Sequence, residues 1–338
     1  MTETVVITGG SAGIGRATAR AFAARGASIG LIARGADRLS DAHAELVALG
    51  VRVHTVQADV ADAAAVERAA DEITAALGPI TVWVNNAMAT VYSPIAQMTA
   101  DEIKRVTEVT YLGTVNGTMT AMKRMTRGTI VQVSSVLAWR ALPIQGAYCG
   151  AKFAARGFTE ALRSELIHDR LPLHLTMVHL PAVNTPQFDW ARNKTGHETN
   201  APSPYAPEVA ADAIVFAATH RRRDVYVGAS TPPTIIAARL APSVLDRVLA
   251  KKGYSAQLTS APAAYQDGNL FEPVPGHQAA EGRFTAQANT KRDITTSRQG
   301  DVLALGLLGL GILTLGMLVR APATLGPALV ARSIARRL

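Results

Sequence analysis

A doubly wound parallel α/β sheet is the fold this sequence predicts, and three observations predict it. Up to about residue 230, short β-branched runs alternate with Ala-rich amphipathic stretches, the rhythm that puts helices on both faces of a parallel sheet. The runs are nearly continuous in hydrophobicity, as strands covered on both sides must be. A chain of 338 residues, 48% of them hydrophobic, is long enough to fill a substantial core.

Taken in order, the predicted strands are TVVIT, ASIGLIA, VRVHTV, TVWVN, TIVQV, LHLTMVHL and DVYVG, together forming a domain over 1–230. The stretch 186–207, PQFDWARNKTGHETNAPSPYAP, breaks the rhythm, and a long irregular loop there is expected to cover or shape a site. Residues 231–300 read as a C-terminal arm: one or two helices over about 234–252, interrupted at Pro242, then a polar extended segment from 255 to 300. Last comes VLALGLLGLGILTLGMLV, residues 302–319, eighteen residues without a charge, within a hydrophobic tail at 301–338.

Composition narrows the function classes. A lone cysteine, Cys149, excludes an internal disulfide, and MTETVVITGG goes straight into a strand-like run with no basic-then-apolar leader, so a reducing compartment is expected. The formal charge of +8 would suit nucleic acid, but residues 302–338 hold four arginines and no acid, leaving only +4 elsewhere. No basic stripe interleaved with aromatics accompanies it, so no nucleic-acid partner is expected. No metal site is expected either.

The first strand runs into TGGSAGIGRATARAFAARG, with Gly9, Gly13 and Gly15 on a TGxxxGxG spacing and Ser11 and Ile14 in the same turn. Glycines here allow a tight turn in which backbone N–H groups and a helix N-terminus face a pyrophosphate. A ribose 2′-OH calls for a carboxylate at the end of the second strand and a 2′-phosphate calls for a cation. ASIGLIARGADR offers Ala33 and Arg34, with Arg38 further on, so NADP(H) is favoured over NAD(H); Asp37, a few residues into the loop, is the contrary sign. Asp59, followed by Val60, stands after the third strand, where it suits either an adenine contact or the N-cap of the next helix.

Tyr148 and Lys152 are four apart in IVQVSSVLAWRALPIQGAYCGAKFAARGF, so on a helix they share one face. The ammonium favours tyrosinate and so lowers the phenol pKa, as proton exchange with a carbonyl or alcohol oxygen requires. Ser135, thirteen residues before Tyr148, can donate a hydrogen bond to the same oxygen. A lone YxxxK marks an ordinary surface helix; joined to SS at a strand end and to the N-terminal TGxxxGxG it marks a site.

In these motifs the chain resembles the short-chain dehydrogenase/reductase family over roughly residues 3–230. The resemblance implies a Rossmann domain and an NADP(H)-dependent oxidoreductase that interconverts a carbonyl and an alcohol. Tyr148 would be general acid/base, Lys152 its pKa-lowering neighbour and ribose ligand, and Ser135 the carbonyl-orienting group. Asp59 would take the adenine contact, Asn86 and Ala87 with Asn85 would lie beside the adenosine ribose, and Pro181, Val183 and Thr185 would hold the nicotinamide carboxamide. Dimers or tetramers are common in the family, so a homo-oligomer is an expected state. Met88 and Ala182 stand where the family has Gly. Thr110 replaces an Asn that supports a proton relay to the catalytic lysine, leaving open a second reading, an NADP(H)-binding scaffold or sensor with an impaired relay.

The apolar run, at about 1.5 Å per residue, reaches roughly 27 Å against a hydrocarbon thickness of about 30 Å. The sequence thus predicts a membrane-associated protein with its catalytic domain facing the cytoplasm and a small lipophilic carbonyl or alcohol as substrate. Lys291, Arg292 and Arg298 before the run agree with that orientation; Arg320, Arg332, Arg336 and Arg337 after it disagree.

Overall fold

A computed structural model describes residues 3–277 and 279–297. Its strands, in chain order, are β1 (Thr4–Thr8), β2 (Ser28–Ala33), β3 (Val53–Gln57), β4 (Val82–Asn85), β5 (Val91–Tyr92), β6 (Gly128–Ser135), β7 (Leu173–Leu180), β8 (Arg192–Asn193), β9 (His197–Thr199), β10 (Asp224–Val227), β11 (Leu258–Pro262) and β12 (Ile294–Thr296). Eight of them form the central sheet, in the order β12-β10-β7-β6-β4-β1-β2-β3. All seven predicted runs are in it, and every pairing among them is parallel. Only β12 runs antiparallel, against β10.

The helices are α1 (Gly13–Ala23), α2 (Ala36–Ala48), α3 (Ala63–Leu77), α4 (Ala100–Thr107), α5 (Gly113–Arg124), α6 (Gly146–His168), α7 (Gln187–Trp190), α8 (Pro207–Thr219), α9 (Thr231–Leu240) and α10 (Pro242–Lys252). They divide the apolar core in two. One side gathers Phe22, Ile29 and Leu31 with α8 residues such as Ile214; the other gathers Ile73, Trp83 and Ile130. Local chemistry sets the helix starts. Asp62 accepts from Ala65 N at the head of α3, and Thr99 with Glu102 closes a reciprocal capping box on α4. Pro242, read as an interruption, opens α10, where its missing N–H has no helical partner to lose.

Strand order reverses between β1 and β4, so the crevice beyond their carboxyl ends is where an open α/β sheet binds ligands. The loop after β7 and the polar arm both come to this crevice. β5 pairs with β8 and β9 with β11, folding the 186–207 loop and the arm into two small sheets.

The membrane-associated, cytoplasm-facing placement expected from the sequence does not stand: no helix among the described residues is long and apolar enough to cross a membrane. The longest, α6, has 23 residues but carries Lys152, Arg156, Glu160, Arg163 and Glu165. The run 302–319 on which that expectation rested lies outside the described residues.

Candidate active site

The glycine turn is shaped for close backbone approach. Gly9 (φ +66°) and Gly13 (φ +55°) adopt the left-handed region that glycine enters without a Cβ clash. A Cβ on Gly15 would come within 2.3 Å of the Gly9 carbonyl oxygen and 2.6 Å of Asn86 Nδ2. Asn86 is locked in turn, donating from Nδ2 to Thr8 O (3.0 Å) and Gly9 O (3.1 Å). Asn85 takes no part in the cavity wall. It is buried, accepts from Trp83 Nε1 (2.8 Å) and donates to Thr118 Oγ1 and Gln132 Oε1 (2.9 Å each).

A cavity of about 420 Å³ begins at this turn. Gly9, Ser11, Gly13, Ile14, Arg34, Arg38, Asp59, Val60, Asn86 and Ala87 line one end of it, and Ser135, Tyr148, Lys152, Pro181, Val183 and Thr185 continue it. Gly15 lies beneath the turn, Thr110 behind the wall and Asn85 in the buried cluster beside it; the other sequence-predicted site residues share this one space.

At the catalytic end, Tyr148 and Lys152 are both buried on the inner face of α6. The lysine nitrogen lies 5.6 Å from the Tyr148 ring centre and donates to Val133 O (2.7 Å). Burial pushes the Lys152 ammonium down to about 8. Burial also holds the Tyr148 phenol above its ordinary value, with the Cys149 thiol adding to the rise and a hydrogen bond from Ser135 opposing it. Desolvation thus outweighs any lowering of the phenol by the lysine alone. Ser135 Oγ also accepts from Leu137 N (3.1 Å), which fixes the strand end. Cys149 is buried in a helix contact and burial pushes its thiol up, as a packing residue rather than a reactive one.

Thr110 is fully buried, inside a π-helical turn, Glu108–Leu112, the kind of irregularity that recurs at functional sites. Its hydroxyl donates to Ala89 O (3.0 Å) and accepts from Ala89 N (2.9 Å). It therefore ties the turn to the chain leaving β4. Lys152 donates to Val133 O instead.

Most of what sequence reasoning missed comes from the arm. Arg34 Nη1 donates to Phe271 O (2.7 Å) and Leu270 O (3.4 Å), and Nη2 to Asn269 O. Arg38 donates to Val274 O and Gly276 O and lies 4.8 Å over the Trp190 ring. Burial lowers both guanidinium pKa values, and for Arg34 the neighbouring Arg105 adds to it. Arg105 pairs with Asp59 and donates to Leu270 O (3.1 Å). Asp59 also accepts from Ala61 N (3.0 Å), while Asp62 caps the next helix. Gly13 N donates to Ala279 O (3.2 Å), and Phe284 N donates to Asn184 Oδ1 (2.9 Å), bracing the Pro181–Thr185 segment. The signal for this wall was faint: Leu270, wholly buried, sits in the apolar pair LF of an otherwise polar stretch.

The sheet order, the glycine turn at its switch point and the Ser135, Tyr148 and Lys152 group in the same cavity define a nucleotide-binding oxidoreductase architecture. The short chain dehydrogenase model matches residues 3–195, and the chain belongs to that family, whose fold binds a nicotinamide cofactor. An uncharacterized oxidoreductase of Bacillus subtilis, YxnA, is 33% identical over 269 residues, 77% of this chain and 75% of that protein. The putative oxidoreductase SadH of Mycobacterium tuberculosis is 33% identical over 262 residues, 73% of this chain and 94% of that protein. Among solved structures, an alcohol dehydrogenase from the archaeon Thermococcus sibiricus complexed with 5-hydroxy-NADP is 26% identical, with a TM-score of 0.60. It covers 67% of this chain and 96% of its own.

Proposed function

We propose that this chain is an NADP(H)-dependent reductase that interconverts a carbonyl and an alcohol on a small lipophilic substrate. The observation that carries the reading is that Ser135, Tyr148 and Lys152 line one cavity together with the glycine turn. The turn fits a dinucleotide because Gly9 and Gly15, where a Cβ would strike Ala87 or the Gly9 carbonyl, let the backbone fold tightly and bring the start of α1 to the cavity wall. Arg34 and Arg38, with no carboxylate at the end of β2, favour a 2′-phosphate; the Thermococcus protein's 5-hydroxy-NADP complex is in keeping with that.

When bound, the nicotinamide supplies or accepts the hydride. The chain's own residues do the rest. Ser135 Oγ and the Tyr148 hydroxyl orient the substrate's carbonyl oxygen, and Tyr148 hands its proton to that oxygen as the alcohol forms. A phenol held protonated by burial suits that donor role. Lys152, positive below about pH 8, steadies the tyrosinate left behind, while Pro181, Val183 and Thr185 hold the carboxamide end and Asp59 and Val60 the adenine end. Leu142, Phe188 and Pro202 supply the apolar contact for the substrate.

Thr110 favours the second reading, a scaffold or sensor that binds NADP(H) without turnover, because its hydroxyl is engaged with Ala89 in both directions. NADPH oxidation across a panel of neutral ketones and aldehydes separates the two. Substrate-dependent oxidation supports the reductase; tight NADPH binding with no oxidation supports the scaffold, and recovery in Thr110→Asn would then assign the loss to the relay.

A further inference from the structure

The substrate end of the cavity has a chemical signature of its own. Among the described residues, the charged side chains lining the cavity are Arg34, Arg38, Asp59 and Lys152: the first three sit at the nucleotide end and the fourth in the catalytic group. Beyond Tyr148 the wall is Tyr92, Leu142, Phe188, Pro202 and Ala256, interrupted by amides. A carboxylate, phosphate or ammonium placed there would lose its hydration without gaining a counter-charge.

One of those amides has its orientation forced. Gln257 Nε2 donates to Gly253 O (2.7 Å) and Pro143 O (2.9 Å), which uses both of its hydrogens. Gln257 Oε1 is therefore an acceptor, and Gln145 Nε2 donates to it at 2.6 Å. The flip of Gln145 follows, since turning it over would set two acceptor oxygens against each other. Its Oε1 has no hydrogen-bond donor among the described residues, and Gln145 lines the cavity. Gln145 stands three residues before Tyr148, at the N-cap of α6, and lines the same cavity. Asn200 N donates to Gln257 O (2.7 Å), so the arm and the 186–207 loop hold this amide group from behind.

We propose that Gln145 is a specificity-determining residue whose Oε1 accepts a hydrogen bond from a substrate hydroxyl, so that the site takes neutral, mainly apolar carbonyl compounds bearing a hydroxyl β or γ to the carbonyl. This rests on the reductase reading above. The Gln145–Gln257 bond holds the acceptor in place before substrate arrives, so little side-chain entropy is lost on binding.

The test uses matched pairs of neutral ketones of one chain length, with and without a β- or γ-hydroxyl, and a carboxylate-bearing counterpart. The wild-type protein turns over the hydroxy ketone with kcat/KM about tenfold above its deoxy partner, as one well-placed neutral hydrogen bond gives. It disfavours the carboxylate by at least as much. Gln145→Met, of similar shape but without the acceptor, brings the hydroxy-to-deoxy ratio to about one. Equal rates for the pair in the wild type, or an unchanged ratio in Gln145→Met, overturns the proposal. An amide pair that only braces the fold lowers both rates together and leaves the ratio alone, which also overturns it. The same pairs are titrated against NADPH-loaded Tyr148→Phe protein. A binding preference without turnover in the wild type sinks the reductase reading and keeps this one; no binding preference sinks this one whatever the turnover.

Discussion

The two walls of the cleft are built by opposite means. The sheet-side wall is local: Gly9, Arg34, Asp59, Asn86, Ser135 and Pro181 each lie within a few residues of a strand's carboxyl end, where a parallel sheet delivers its loops. The arm-side wall is remote: the bonds from Arg34 and Arg38 to Asn269, Leu270, Phe271, Val274 and Gly276 span 235 to 238 residues. Its acceptors are backbone carbonyls, which any residue supplies. The first wall supplies the glycine turn and the catalytic group, while the second holds the Arg34 and Arg38 guanidiniums that, in the proposed function, would meet the cofactor's 2′-phosphate.

The largest effect is expected from breaking the sheet side. In Gly15→Val the Cβ alone overlaps Gly9 O at 2.3 Å, and relieving it costs about 3 kcal/mol. NADPH Kd rises more than about a hundredfold by fluorescence titration; retained affinity would show that the turn is not the pyrophosphate cradle.

Breaking the arm side comes next. Leu270→Asp puts a carboxylate where the side chain is fully buried, so the arm leaves its seat with the loss of about 2–3 kcal/mol of apolar burial. Hydrogen exchange over 265–285 accelerates and NADPH binding weakens by about tenfold or more. Tighter NADPH binding would reverse the comparison, showing that arm carbonyls compete with the phosphate for Arg34 and Arg38.

A smaller effect, confined to one cofactor, follows Arg34→Ala. Loss of a charge-assisted phosphate contact raises NADPH Kd by about tenfold and leaves NADH Kd within about twofold. An equal loss for both cofactors would show that Arg34 acts on binding only through the arm carbonyls it holds.

The mildest expectation concerns pH. Lys152 is lowered to about 8 by burial, so it is cationic below that pH and neutral above it. Carbonyl reduction therefore falls as pH rises through about 8 in a kcat profile; a flat profile across that range would free Tyr148 from dependence on the lysine charge.

Legibility in the sequence followed the same division. All seven parallel strands and the residues of the sheet-side wall were readable because period, glycine spacing and the Tyr148–Lys152 interval are short-range signals. β12 was not: three residues, Ile294–Thr296, in a polar segment carry no periodicity, and β10 alone makes them a strand. Gln145 was within sight, three residues before Tyr148, but only the Gln257 contact fixes which end of its amide is left without a donor. For Asp59 the sequence offered two roles; the capping role belongs to Asp62, and the pairing of Asp59 with Arg105 depends on α4, which sequence gives no reason to place there.

In the proposed reaction Tyr148 delivers the proton to the carbonyl oxygen as NADPH is oxidised. Single-turnover NADPH oxidation in Tyr148→Phe, at saturating substrate and with NADPH binding measured in parallel, tests it most directly. Hydride transfer is expected to slow by about a thousandfold or more, with NADPH Kd within a few fold of the wild type. Undiminished hydride transfer in that variant would contradict it.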